Sequence, residues 1–160
     1  RLRRVSYSAT LLDLMQAYAR IRTRDEFRPY ALDRDSVFTM EQALDLCDEL
    51  DPGRTGMLGV AVDVYHVWWD PKLRQQIARA GAARLLAYHV CDWLAPTRDL
   101  LSDRGMMGDG VIELRRIRGW VEDAGYRGFS EVEIFSDRDW WQRDGGETLD
   151  TCIERHRSVV

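Results

Sequence analysis

The sequence predicts an α/β fold built on a parallel sheet, and three observations predict it. Strand-length apolar runs stand at 57–64 (MLGVAVDV), 84–90 (RLLAYHV) and 130–135 (SEVEIF). Segments with apolar residues at helical spacing lie between and after them, which is the alternation of repeated β/α units. The runs are continuous in apolar character instead of alternating, as strands covered on both faces should be.

Taken in chain order, residues 8–21 read as helical, and 22–37, poor in apolar residues and rich in charge, offer no strand. Thr39 and Gln42 form a capping-box pattern before the apolar run 43–47, which starts a helix. DPGRTG supplies a turn before the first strand at 57–64. Asp70 and Pro71 then give an N-cap and a first-turn proline for a helix over 71–81, closed by Gly81. After the strand at 84–90 comes a long loop rich in Gly and Asp. Leu114, Ile117, Trp120 and Val121 set the next helix, over 113–124, and Gly125 ends it. The third strand, 130–135, precedes a last helix from about Glu147, with Leu149, Cys152, Ile153 and His156 on one side. His156 lies far from the strand ends and has no expected catalytic role.

With 160 residues, 45% of them hydrophobic, the chain can bury one substantial core, and one domain is the default. Net charge is −4 and both signs are interspersed, so no basic stripe exists to neutralise a run of phosphates, and a nucleic-acid partner is not expected. Cys47, Cys91 and Cys152 are odd in number and without a CxxC pair, which argues against a disulfide framework and a structural zinc knot. The cluster Arg1 to Arg4 precedes no long apolar run, so neither a signal peptide nor a membrane anchor is expected, and the location expected is cytoplasmic. Beginning at Arg1 and not at Met, the sequence reads as a fragment.

Potential metal ligands stand at the end of each strand run. Asp63 and His66 close the first in DVYH, His89 and Asp92 the second in HVCD, and Glu133 lies in the third in EVEIF. In parallel β/α architecture the loops after the strands converge on one mouth, so these side chains can meet around a single cation. Singly, each has a plain structural role open to it: Asp63 as a loop cap, His89 as a hydrogen-bonded core histidine, Glu133 as an edge carboxylate. Three together at equivalent strand ends favour the shared cation. Two carboxylates and an imidazole suit Mn²⁺, Mg²⁺ or Co²⁺, with Zn²⁺ also compatible. Trp68, Trp69, Trp93, Trp140 and Trp141 follow the strand ends and are expected either to wall the mouth or to pack loops and interfaces. Arg98 and Arg104 are candidates for a clamp on a substrate phosphate or carboxylate, or are solvent-exposed loop arginines.

In this order and spacing, VDVYHVWWD, AYHVCDW, RGMMGDGVIEL and EVEIFS resemble the sixth, seventh and eighth strand regions of the xylose-isomerase-like family, which includes ketose 3-epimerases, hydroxypyruvate isomerases and inosose dehydratases. The resemblance implies a partial (β/α)8 TIM barrel, its C-terminal half with parallel strands and outer helices, over 36–160. Residues 1–35, helical and then loop, are unmatched by it. It further implies that Asp63, His89 and Glu133 take the metal and that His66 contacts a substrate hydroxyl or carbonyl; by position, Asp92, Arg98, Trp68 and Trp93 are the other substrate-facing candidates. Gly108 and Gly110 match the GxG after the seventh strand. In the epimerases of the family two glutamates move the proton of an enediolate intermediate. Glu133 matches one, and Glu26 in EFRP is the nearest candidate for the other as catalytic residue and ligand, although its motif is one residue short of ExxHP and lacks the histidine. The related apurinic endonucleases place a DxH pair where this chain has Asp103, Arg104 and Gly105.

The function these readings imply is a metal-dependent isomerase or epimerase of a small sugar, its phosphate, a polyol or a hydroxy-ketone. The alternatives are an inactive remnant serving as a binding fragment, and a dehydratase of the inosose type. The expected partner is the small substrate, with self-association left open, because an open three-stranded sheet exposes two edges.

Overall fold

The computed structural model describes residues 37–160. Glu26, the helix read over 8–21 and the strandless stretch 22–36 lie outside the described residues. Helix α1 spans Met40–Leu50 and begins with the capping box, the Thr39 hydroxyl accepting the Gln42 N–H while the Gln42 side chain accepts the Thr39 N–H. Strand β1 is Val60–Asp63, followed at once by the four-residue helix α2, Val64–Val67. Helix α3 spans Leu73–Arg84, with Gly81 at φ 58° breaking the regular helix where the sequence predicted its end. A positive φ is open to glycine at little steric cost. The helix begins two residues later than predicted: Pro71 and Lys72 form a turn, in which the Asp70 carboxylate accepts the Lys72 N–H at 2.8 Å, and Lys72, not Asp70, stands at the N-cap with no side-chain bond to the helix.

Strand β2 is Leu85–Val90. The segment after it, read from sequence as a loop, contains a small antiparallel pair, β3 (Asp92–Trp93) and β4 (Arg104–Gly105). Helix α4 is Leu114–Asp123, strand β5 is Ser130–Val132, and helix α5 is Gly145–Val159, capped by the Asp144 carboxylate on the N–H groups of Gly146 and Glu147. β5 is shorter than the predicted 130–135, because past Glu133 the backbone turns to bond β4: the Arg104 N–H donates to Phe135 O at 2.9 Å.

β1, β2 and β5 form one parallel sheet in that order. The core lies where the sheet meets the helices, with Leu44 and Cys47 of α1, Ile77 and Ala80 of α3, Val62 of β1, Tyr88 and Val90 of β2, and Ile117 and Val121 of α4 all buried. At the N-terminal end of the sheet Arg84 is fully buried. It donates to the Asp51 carboxylate at 2.7 Å and to the carbonyls of Cys47, Asp51 and Leu58 at 3.1, 2.6 and 3.0 Å, closing the C-terminus of α1 onto the entry to β1. This strapped end fixes the strands, and the opposite ends carry the ionisable groups. No helix among the described residues is long and apolar enough to cross a membrane.

Candidate metal centre

Strand register brings the three ligand candidates together. Asp63 is the parallel partner of His89, and His89 of Glu131. Side chains alternate along a strand, so Glu133, two residues beyond Glu131, returns to the face that His89 occupies. The ladder continues far enough to hold it there, with the Glu133 N–H donating to Val90 O at 3.0 Å. One ligand atom from each of Asp63, His89 and Glu133 lies within 4.8 Å of the others.

Asp63 serves two purposes at once. Its Oδ1 accepts the Tyr65 N–H at 2.9 Å, which caps α2, and this leaves Oδ2 for the site. Capping and ligation, set against each other in the sequence, are thus compatible. Burial raises the Asp63 carboxyl above the ordinary range, and the Arg104 guanidinium works against that rise. Glu133 is held low, to about 2, first by its contact with His89, whose Nδ1 lies 3.5 Å from Oε2, and then by Arg104 among its other neighbours. The same contact raises the His89 imidazole. Two carboxylates and one imidazole are a donor set that fits a divalent cation, with oxygen and nitrogen donors shared among three strands.

Arg104 occupies the centre of this group. Only 4% of its side chain is exposed, and Nη1 donates to Asp63 Oδ2 and to Glu133 Oε2, each at 3.0 Å. Nη2 lies 3.1 Å from His66 Nε2. The guanidinium carbon stands 4.5 Å from the Tyr65 ring centre and 4.8 Å from that of Phe135, so the cation is held between two aromatic rings. Its sequence neighbourhood marked Arg104 only as a clamp candidate. Tyr65 and Phe135 carried no polar signal, and sequence reasoning passed over them.

The remaining candidates surround this centre at different distances from it. His66 is the third residue of α2 and does not lie in the strand, and its half-exposed ring lies 3.6 Å from Asp63 Oδ2. Trp93 stacks on Tyr65 with centroids 4.7 Å apart, and Trp68 on Trp93 at 5.9 Å, forming an aromatic shelf that supports the site from the side. Asp92 is buried and engaged with its own loop, accepting the N–H groups of Trp93, Gly108 and Ile112 at 2.8, 2.9 and 3.0 Å. Gly110 packs against the same turn: a Cβ there would lie 2.2 Å from Trp93 O, so only glycine fits. Arg98 pairs with the buried Asp103, its Nε donating to both carboxylate oxygens at 3.0 Å, which pins the outer loop. Trp140 is buried under Arg143, while Trp69 and Trp141 are exposed.

The family model described as xylose isomerase-like TIM barrel matches residues 29–154. Among solved structures, protein SMc04130 from Sinorhizobium meliloti 1021 is similar at 58% identity with a TM-score of 0.72, over 77% of this chain and 44% of that one. The IOLI protein, in a structure with a binding zinc atom, is similar in fold at 20% identity with a TM-score of 0.68, over 79% of this chain and 45% of that one. The chain therefore spans less than half the length of either. No curated protein matches it.

Proposed function

Since this chain belongs to the xylose isomerase-like TIM-barrel family, we propose that its strand ends form the cation-holding wall of an isomerase or epimerase site for a small sugar, polyol or hydroxy-ketone. The observation that carries this reading is the convergence of Asp63, His89 and Glu133 to within 4.8 Å at the C-terminal ends of three adjacent parallel strands, where ligands of β/α folds collect. A zinc atom in the IOLI structure agrees with cation binding on this fold. A divalent cation held by these residues would supply Lewis acidity to a substrate oxygen and ease removal of the neighbouring C–H proton.

The chain's own groups divide the remaining work by burial. Asp63, almost wholly buried, is suited to holding a charge and not to meeting substrate. Glu133, with 35% of its side chain exposed, is the carboxylate of the set best placed to meet a substrate carbon, and its contacts with His89 and Arg104 keep it ionised. His66 at the mouth offers its imidazole to a substrate hydroxyl or carbonyl. The shelf of Tyr65, Trp93 and Trp68 excludes water from one flank. A DNA-repair site with further zinc finds no support, because Asp103 is committed to Arg98 and Gly105 offers no ligand.

The test is calorimetric titration of the metal-stripped chain with Mn²⁺, with Asp63→Ala as control and light scattering to fix the mass. Saturable one-to-one uptake, lost in Asp63→Ala, is the expected result. A folded chain that takes up no Mn²⁺ removes this reading. Product analysis on ketoses and inososes then separates epimerisation from dehydration.

A further inference from the structure

We propose that Arg104 is a built-in counter-cation, holding the ligand set together before metal arrives and yielding its seat between Asp63 and Glu133 when metal binds, so that it sets the affinity of the site. The proposal rests on reading Asp63, His89 and Glu133 as a divalent-cation site. Without some cation, two carboxylates would face each other there across a poorly solvated gap, which is costly for both. Nη1 meets that need, at 3.0 Å from one oxygen of each.

The same geometry sets the guanidinium and a metal in competition. Asp63 Oδ1 is taken by the Tyr65 N–H, so Oδ2 is the oxygen open to the site, and it is the oxygen that Nη1 holds. A metal bound by carboxylate oxygens comes within about 2.2 Å of them. A guanidinium on the same oxygens competes with the metal for their negative charge and repels it, so bound metal favours withdrawal of Nη1.

Arg104 is also placed to move without leaving. Its backbone is fixed by pairing with Trp93 and by the N–H bond to Phe135 O. The rings of Tyr65 and Phe135 flank the guanidinium at 4.5 and 4.8 Å, a contact that a small displacement toward His66 need not break. In its present position the buried Nε–H has no acceptor. An orphaned donor is costly, which marks a seat held for its charge and not for complete bonding.

The experiment titrates the metal-stripped full chain and its Arg104→Met and Arg104→Lys variants with Mn²⁺ by calorimetry, and records the melting midpoint of each with and without metal. Arg104→Met is expected to bind Mn²⁺ at least tenfold more tightly than the parent, to melt lower when metal-free and to gain more on loading. Arg104→Lys keeps a charge but lacks the planar guanidinium that the Tyr65 and Phe135 rings flank and the second nitrogen that meets His66, so a less firmly held cation and at least threefold tighter Mn²⁺ binding are expected, and it carries the test if the methionine variant does not fold. Binding by the parent, with equal or weaker affinity in the folded variants, overturns the role of Arg104 alone. No uptake by any folded variant overturns the cation site and this proposal together.

Discussion

Asp92 is the single residue whose loss is expected to loosen the mouth of the site most. Its carboxylate is shared among three N–H groups of the segment that carries Arg104 and Gly110, and replacement by alanine strands the buried donor of Ile112 while the exposed Gly108 can turn to water. At about 1–3 kcal/mol for an orphaned buried group, Asp92→Ala should cost roughly 1–3 kcal/mol. Urea denaturation of the metal-free chain measures this, and a loss below about 0.5 kcal/mol would mean that the loop does not depend on Asp92. At this scale the sequence exposed Asp63, His89 and Glu133 well, since ligand-type residues at the ends of apolar runs are visible without coordinates. The partners of Asp92 and Arg98 were not legible. An acid or an arginine in a loop looks the same whether it faces a substrate or, as with Asp92 on backbone N–H groups and Arg98 on Asp103, organises its own segment.

Among the elements, the junction of α1, β1 and β2 depends on Arg84, which joins the last turn of α1 to the approach to β1 from the end of α3. Arg84→Met keeps the stem and removes the charge, leaving the buried Asp51 carboxylate without its cationic partner. Breaking a buried pair in this way costs about 3–5 kcal/mol. The expected outcome is a lower denaturation midpoint with unchanged strand register, read by chemical denaturation and by Mn²⁺ uptake in whatever fraction stays folded. A variant as stable as the parent would show that the apolar contacts of α1 with α3 and the sheet suffice. The capping box at Thr39 and the break at Gly81 were legible because caps and helix stops are local chemistry, whereas the cap read at Asp70 gives way to a turn that delays the helix to Leu73. The β3–β4 pair was not, since two residues carry no periodicity and the pairing of Asp92 with Gly105 is decided by the fold of the intervening chain.

Over the whole molecule, acid is expected to act through the depressed carboxylates. Asp48 is held low first by Arg79, Asp51 by the Thr55 N–H and then its hydroxyl and Arg84, Asp99 by the N–H groups of Ser102 and Leu101, and Asp103 by Arg98. A carboxyl whose folded pKa lies below its unfolded value of about 3.9 stabilises the fold above that pH and ceases to do so as pH falls through the folded value. Asp63, raised by burial, acts in the opposite sense and is outnumbered. The melting midpoint of the metal-free chain should therefore hold from neutrality to about pH 4 and then fall steeply. A midpoint that is flat down to pH 3 would show that these pairs contribute nothing. By itself the sequence determined the α/β alternation, the capping box at Thr39, the three ligand candidates and the family resemblance, because each is written in local pattern or in residue type at a recurring position. Only the tertiary structure decided that Glu133 falls beside His89 and that Arg104 enters between the carboxylates. Those facts depend on strand register and on the path of the chain through β4, and register is settled by the packing of whole elements and not by the residues that meet.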